Sequence, residues 1–256
     1  LSDGMSIMRP TLLGSLLDAA RHNVARNGPD VAIFESGTVY RASDGPLADE
    51  HHGLGVLLTG AMARRSWRGE QASADFFAAK ALLAALLDRF GLEWSVHAGS
   101  WPFLHPGRSA AVLAGGQPLG FLGEVHPLVA DAWDLERTVA FAVDLGRIAE
   151  LAQPVVSFRA FGPFPPLRQD LAVTLPDSVA ADTVLERVRA EGGSSLDTAE
   201  IFDVYTGEQV GEGRRSLALA LSFRALERTL TDEDVAAPRA RIVAALAEIG
   251  GELRGG

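Results

Sequence analysis

The sequence predicts an α+β protein in two parts. Apolar residues recur at helical spacing in two segments of the first half, and alternating apolar residues mark strands around them. At 153–166 the texture changes to QPVVSFRAFGPFPP, with four prolines and few charges, which places a domain boundary there. The chain is read as a first module, 1–157, and a tail, 158–256, whose strand–helix–strand–strand–helix–strand order is that of a ferredoxin-like domain.

In chain order, 10–27 predicts a helix, with Leu12, Leu13, Leu16, Leu17, Ala20 and Val24 on one face and Asn27-Gly28-Pro29 as its stop. VAIFESGTVYR (31–41) reads as a strand, 44–49 as a loop and 54–59 as a second strand. A strong helix is expected over 74–90. A hairpin is expected over 109–125, turning at Gly115-Gly116, because glycine supplies the positive φ that tight hairpin turns need. A short helix after Pro127 and a strand over 138–145 complete the module. The tail predicts a strand at 170–175, a helix at 179–190, strands at 199–205 and 215–224, a helix at 232–248 and a short last strand. Thr231 and Asp234 form a capping-box-like start for that helix. Pro238, inside it, predicts a kink or a later helix start, since an interior proline costs about 3 kcal/mol.

With 256 residues, 47% hydrophobic, the chain can bury sizeable cores. No apolar run reaches the roughly 18 residues of a membrane-spanning helix, so no membrane partner is expected. The N-terminus has no signal-peptide pattern and no initiator Met, and the chain is read as a fragment or a processed product. The absence of cysteine excludes disulfides and thiolate chemistry and fits a reducing, cytoplasmic setting. Net charge is −10, and the tail from Ala160 holds ten arginines against sixteen acids, a balance that opposes non-specific nucleic-acid binding.

Strand alternation sorts the tail into two faces. Leu171, Val173 and Leu175, with Leu217, Leu219, Leu221 and Phe223, form a core face, which Phe202 and Val204 are expected to join. The opposite face carries Asp170, Ala172, Thr174, Ser216, Ala218, Ala220, Ser222, Asp203 and Tyr205, with Arg168, Arg214, Arg215 and Arg224 at the rim. Both helices of a ferredoxin-like domain stack on one face, so this second face stays open. Small side chains let a flat ligand approach the backbone, a phenol offers a stacking surface, and arginines reach phosphates. Single-stranded RNA is the ligand class that such a surface suits. Arg168 either pairs with Asp170 or contacts phosphate.

FPPLRQDLAV, EIFDVYTG, GEGRRSLALALSFRALERTLTDEDV and RIVAAL make the tail similar to the ferredoxin-fold anticodon-binding domain that closes the β subunit of bacterial phenylalanyl-tRNA synthetases. MRPTLLGSLL, AIFESGTVY, DFFAAKALLAALL, LHPGRSAAV and LGFLGEVHP make the first module resemble that subunit's catalytic-like module, a class II synthetase-like antiparallel sheet that has lost catalysis. The resemblance implies an (αβ)2 heterotetramer that charges tRNA(Phe), with an α subunit as partner. ATP and Mg2+ are implied for the holoenzyme, and no cofactor for this part of it. It places Tyr205 where the family stacks an anticodon base, and Arg215 keeps the charge of a position that is often lysine. AIFESGTVY carries Glu35 but no central arginine, and no GxGxGxxR stretch occurs, so no cation is expected to clamp the charge of adenylate formation. The expected RNA-binding residues are Tyr205, Arg168, Arg214, Arg215, Arg224 and Ser222, with no catalytic residue and no metal ligand. A pure protein-assembly module and an amino-acid-binding regulatory domain are the alternatives.

His51-His52 lacks metal-site spacing and reads as surface histidines. His105 and His126, each before a proline, are expected to fix turns. Arg64, Arg65 and Arg68 around Trp67 form the densest basic cluster of the first module, either a contact for tRNA or the α subunit or a solvated loop.

Overall fold

A computed structural model describes residues 7–63, 66–67, 69, 72–152 and 163–254. The chain divides into two units, Leu1–Ser157 and Phe158–Gly256.

The first unit is a six-stranded antiparallel sheet of β1 (Val31–Arg41), β2 (Asp49–Thr59), β5 (Trp94–Ala98), β6 (Leu104–Ala114), β7 (Gln117–Val125) and β8 (Thr138–Asp144). Their spatial order is β1-β2-β8-β7-β6-β5. Each face carries helices, so adjacent strand residues feed different cores. Leu58, Val139, Phe141 and Val143 pack with Leu83 and Leu87 of α2 (Phe76–Arg89) and Ile148 of α4 (Leu145–Leu151). Leu57 and Ala140 pack with Leu13, Leu16 and Leu17 of α1 (Leu13–Asn27) and Ala130 of α3 (Pro127–Ala132). A small ribbon of β3 (Ala61–Ala63) and β4 (Ala72–Ser73) stands apart from the sheet.

Helix α1 starts at Leu13 rather than Pro10, because the Thr11 hydroxyl accepts the Leu13 N–H at 3.1 Å and turns the chain into the helix. Asp75 caps α2 by accepting from the Ala78 N–H at 2.8 Å. The expected hairpin is β6–β7, longer than read, and Gly115 and Gly116 adopt φ +56° and +74° at its turn. Strand β5 and helix α4 were not anticipated. Both are short, and α4 depends on Asp144, whose carboxylate accepts the Arg147 N–H at 3.1 Å.

One buried acid ties the β6 and β7 ends to the start of β8. Glu124 accepts from Arg108 Nη1 at 2.8 and 2.9 Å and from Arg137 Nε at 3.1 Å. Burial alone would raise its carboxyl, but the Arg108 hydrogen bond and the Arg137 and Arg108 charges outweigh that and hold it below the ordinary glutamate value. A depressed carboxyl contributes stability that is present above about pH 4.3 and lost as pH falls through the folded value. Both arginines are half-exposed and can rehydrate, so Glu124→Gln is expected to cost roughly 1–2 kcal/mol at neutral pH. In urea titrations from pH 6 down to 3 the gap between the variant and the parent protein should close.

The second unit holds a four-stranded antiparallel sheet in the order β10-β11-β9-β12: β9 (Leu167–Pro176), β10 (Leu196–Tyr205), β11 (Arg214–Phe223) and β12 (Glu252–Leu253). Helices α5 (Ala181–Gly192) and α6 (Asp232–Glu248) bring Val184, Val188, Val235, Ile242 and Leu246 against Leu171, Val173, Leu175, Leu217, Leu219, Leu221 and Phe223. This is the ferredoxin-like arrangement. Helix α6 begins at Asp232 and passes through Pro238 as one element, so the later start does not occur. Two features hold that start. The Thr231 N–H donates to the Asp234 carboxylate at 2.8 Å, and Arg228 clamps the same carboxylate with two 2.6 Å bonds, which hold it well below the usual carboxylate range. The Pro238 ring is buried, and its apolar contact offsets part of the missing hydrogen bond.

Candidate nucleic-acid interface

Directly opposite residues of an antiparallel pair share a face, so the register maps the face away from α5 and α6. Crossing from β10 through β11 to β9, its rows are Thr198–Ser222–Arg168, Glu200–Ala220–Asp170, Asp203–Ala218–Ala172 and Tyr205–Ser216–Thr174. Glu252 of β12 extends the last row. The rows of Ser222 and Ser216 lie six residues apart, about 20 Å at the rise of a strand.

Ala218, Ala220 and Ala172 form the floor of this face, and Tyr205 is 42% exposed at one end of it. Tyr205 and Asp203 point outward, as alternation predicted. Neither Phe202 nor Val204 joins the buried core: they are 59% and 53% exposed, although Val204, opposite Leu217, keeps the helix-side face. The register slips between Ile201 and Asp203, which makes Phe202 an extra bulged residue and gives the core-facing place to Ile201. Two adjacent apolar residues in an otherwise alternating strand, Ile201-Phe202, were the available signal.

The arginines divide. Arg168 and Ser222 share a row, and Arg224 lies one residue beyond β11 at the same end, where its Nε bonds Asp197 at 3.2 Å. The expected Arg168–Asp170 pair is not formed: Arg168 is exposed and makes no ion pair among the described residues. Arg214 lies at the opposite end, where it donates to the Thr174 and Gly250 carbonyls and pairs with Glu252 at 3.2 Å, holding β12 in place. Arg215 lies away from the interface. It has the parity of Leu217 and Leu219, and its Nη2 donates to the Val179 carbonyl at 2.7 Å on the way into α5. Its alternation within RRSLALAL already put it on that side.

Sequence reading missed Arg254, whose guanidinium carbon stands 5.4 Å from the Tyr205 ring centroid. It also gave little weight to the acids. Asp170, Glu200 and Asp203 line the middle rows and are exposed. Carboxylates repel phosphate but accept from base amino and imino groups, so this surface is suited to bases lying flat rather than to backbone neutralisation.

In the first unit, Glu35 is not solitary. Arg9 bonds its carboxylate and donates from Nε to the Thr38 carbonyl at 2.9 Å, and the Ser15 hydroxyl also donates to Glu35. Burial would raise that carboxyl, but the Ser15 and Arg9 bonds keep it below the ordinary value. This is an internal brace between β1 and the segment entering α1. His51 is half-buried and sits 3.3 Å from Asp144, while His52 Nε2 lies 2.9 Å from the Ser36 hydroxyl. His126 Nδ1 accepts the Leu128 N–H and begins α3, and His105 Nδ1 accepts the Gly107 N–H. Among the described residues no group of three His, Asp or Glu could hold a metal ion, and no helix is long and apolar enough to cross a membrane. Arg64, Arg65 and Arg68 lie outside the described residues; Trp67 between them is exposed.

Both units match known families. Residues 162–254 match the ferredoxin-fold anticodon binding domain, and residues 1–145, more than half of the chain, match the phenylalanyl tRNA synthetase beta chain CLM domain. The chain belongs to the phenylalanyl-tRNA synthetase beta chain family. It is 41% identical to the phenylalanine–tRNA ligase beta subunit of Symbiobacterium thermophilum over 97% of this chain and 28% of that protein. It is 34% identical to the protein of the same name from Staphylococcus aureus strain COL, over 99% of this chain and 32% of that protein. The chain therefore spans about a third of the length of these relatives. The segments LRQDLAV, EIFDVY and SLALALSF, which lie within the matched anticodon-binding domain of this phenylalanyl-tRNA synthetase beta chain family member, coincide with β9, β10 and β11, the three strands that build the open face.

Proposed function

We propose that this chain is the C-terminal part of the β subunit of phenylalanine–tRNA ligase, and that its second unit binds the anticodon region of tRNA(Phe) on the open sheet face. The observation that carries the reading is a floor of Ala172, Ala218 and Ala220 with an exposed phenol at one end. Tyr205 stacks on a base. Arg168 and Ser222 meet the strand at the far end, with Arg224 beside them, while Arg214 holds β12 beneath the ligand and Arg215 supports α5. Bases contribute more than phosphates on a face this acidic.

The first unit serves assembly, not chemistry. Its strand glutamate is braced by Arg9, an internal use of that carboxylate, and ATP and Mg2+ are assigned elsewhere in the ligase. Those belong to the α subunit, the partner in an (αβ)2 heterotetramer of the cytoplasm. An apolar groove lined by Phe34, Leu54, Val56, Leu82 and Leu86 supports a protein-binding role for this unit.

The test is Tyr205→Ala in the assembled ligase. Losing one stacked base weakens tRNA(Phe) binding by about 1–3 kcal/mol, roughly 5- to 150-fold, with amide exchange across β9–β11 unchanged. Filter-binding titrations that show equal affinity would remove the tRNA reading. A heat of binding to phenylalanine alone would favour a regulatory amino-acid site instead.

A further inference from the structure

We infer that Arg254, two residues before the end of the chain, is a second tRNA-binding residue that forms one composite platform with Tyr205; this rests on the tRNA reading above. The sheet order brings the two together. Strands β10 and β12 are the opposite edges of the second sheet, three strand spacings apart, about 14 Å. A phenol and a guanidinium reaching inward from those edges meet over the middle strands. The contact is seen directly: the Arg254 guanidinium carbon lies 5.4 Å from the Tyr205 ring centroid, and Nη2 donates to Gln209 Oε1 at 2.7 Å. The Arg254 N–H donates to the Ala172 carbonyl at 2.9 Å, which anchors the segment on the outer edge of β9. Ser216 and Thr174, in the middle of the same row, are only 7% and 9% exposed although they lie on the face away from the helices.

Charge separates Arg254 from its neighbours. Arg214 is neutralised by Glu252 and Arg224 by Asp197. Among the described residues Arg254, like Arg168, forms no ion pair, so the face carries one uncompensated cation near each end. A guanidinium has five N–H donors, and Gln209 takes one. The rest are available to a phosphate next to the base that Tyr205 holds. The cation beside the ring also restricts its rotation.

The experiment compares four variants in the assembled ligase by tRNA(Phe) titration across a salt series. Arg254→Ala is expected to weaken binding about 5- to 10-fold and to make the slope of log K against log salt shallower by about 0.7, the mark of one lost single-strand phosphate contact. Arg254→Lys should restore the slope but only part of the affinity, because an ammonium keeps the charge and loses the flat contact. Arg239→Ala removes an exposed charge from α6, on the helix side, and should change neither quantity. Tyr205→Ala weakening the complex while Arg254→Ala binds as tightly as the parent protein, or more tightly, would overturn the role of Arg254 alone. Unchanged binding in both would remove the tRNA reading and this inference with it.

Discussion

Gly120→Ala is expected to destabilise the first unit by about 3 kcal/mol or more, the larger part of what many domains have in reserve. A methyl group built on Gly120 would stand 1.9 Å from the Ala142 carbonyl oxygen, 2.9 Å from its carbon and 3.0 Å from the Val143 Cα. All three atoms are backbone of β8, so no side chain can swing aside. The strands must part by more than 1 Å where Gly120 pairs with Val143, in the middle of the sheet. The β6–β7 register also slips next to this position, between Val112 and Leu113, where a bulge increases local twist. Other glycines define the scale. Gly116 has φ +74° with nothing near it, so alanine there meets only the left-handed penalty of about 1–2 kcal/mol. Gly14 lies inside α1 in open space, where alanine should stabilise by roughly 0.5–1 kcal/mol. Tryptophan fluorescence during urea unfolding reads the series, because Trp67, Trp94, Trp101 and Trp133 all lie in the first unit. A Gly120→Ala midpoint equal to that of Gly116→Ala would contradict the clash.

The same glycine shows why a family motif is recognisable without being chemical. LGFLGEVHP contains Gly120 for strand approach, Gly123 where a methyl group would stand 3.0 Å from the Arg108 carbonyl oxygen, Glu124 as the anchor of two arginines and His126 as a helix cap. Every polar or unusual residue in it has a structural use, in keeping with an assembly role for this unit.

Long periodic segments were legible in the sequence. Helices α1 and α2 and strands β9 and β11 each carry ten to fifteen residues whose period declares their face, and burial follows that period. Strand β5 and helix α4 are too short for a period to emerge, and their existence depends on pairing with β6 and on the Asp144 cap. The candidate interface was half legible. Tyr205, Ser222 and the alanine floor follow from alternation alone. Phe202 was misassigned because a bulge resets alternation without changing composition. Arg254 was invisible for a different reason. Its place beside Tyr205 arises only when β12 adds to the β9 edge and carries the C-terminal residues back over the face. No local pattern encodes a contact between residues 49 positions apart on opposite edges of a sheet.

Phe223→Ala should show how far recognition depends on that sheet rather than on the side chains displayed on it. Phe223 is completely buried, pairs with Leu196 and Leu167, and is the largest side chain fully enclosed in the second unit. Truncating a buried phenylalanine to alanine costs about 3–5 kcal/mol, from lost transfer energy and the cavity left behind. A domain of this size has about 5–15 kcal/mol in total, so the variant remains folded but opens often. Tryptophan emission will not detect it, since no tryptophan lies beyond Trp133. Amide exchange will: protection across β9, β10 and β11 should fall by two to three and a half orders of magnitude, by the conversion of about 1.4 kcal/mol per decade. Phe223 points away from the proposed ligand, and its strand neighbour Ser222 points toward it. Binding of tRNA(Phe) should therefore weaken by the fraction of time the sheet is open, a small loss at 25 °C that grows steeply on warming. Tyr205→Ala should do the reverse, with a large loss at every temperature and no change in exchange. If Phe223→Ala abolished binding at low temperature while exchange stayed at parent levels, the face would not be the rigid platform that the alanine floor and the fourfold row pattern describe.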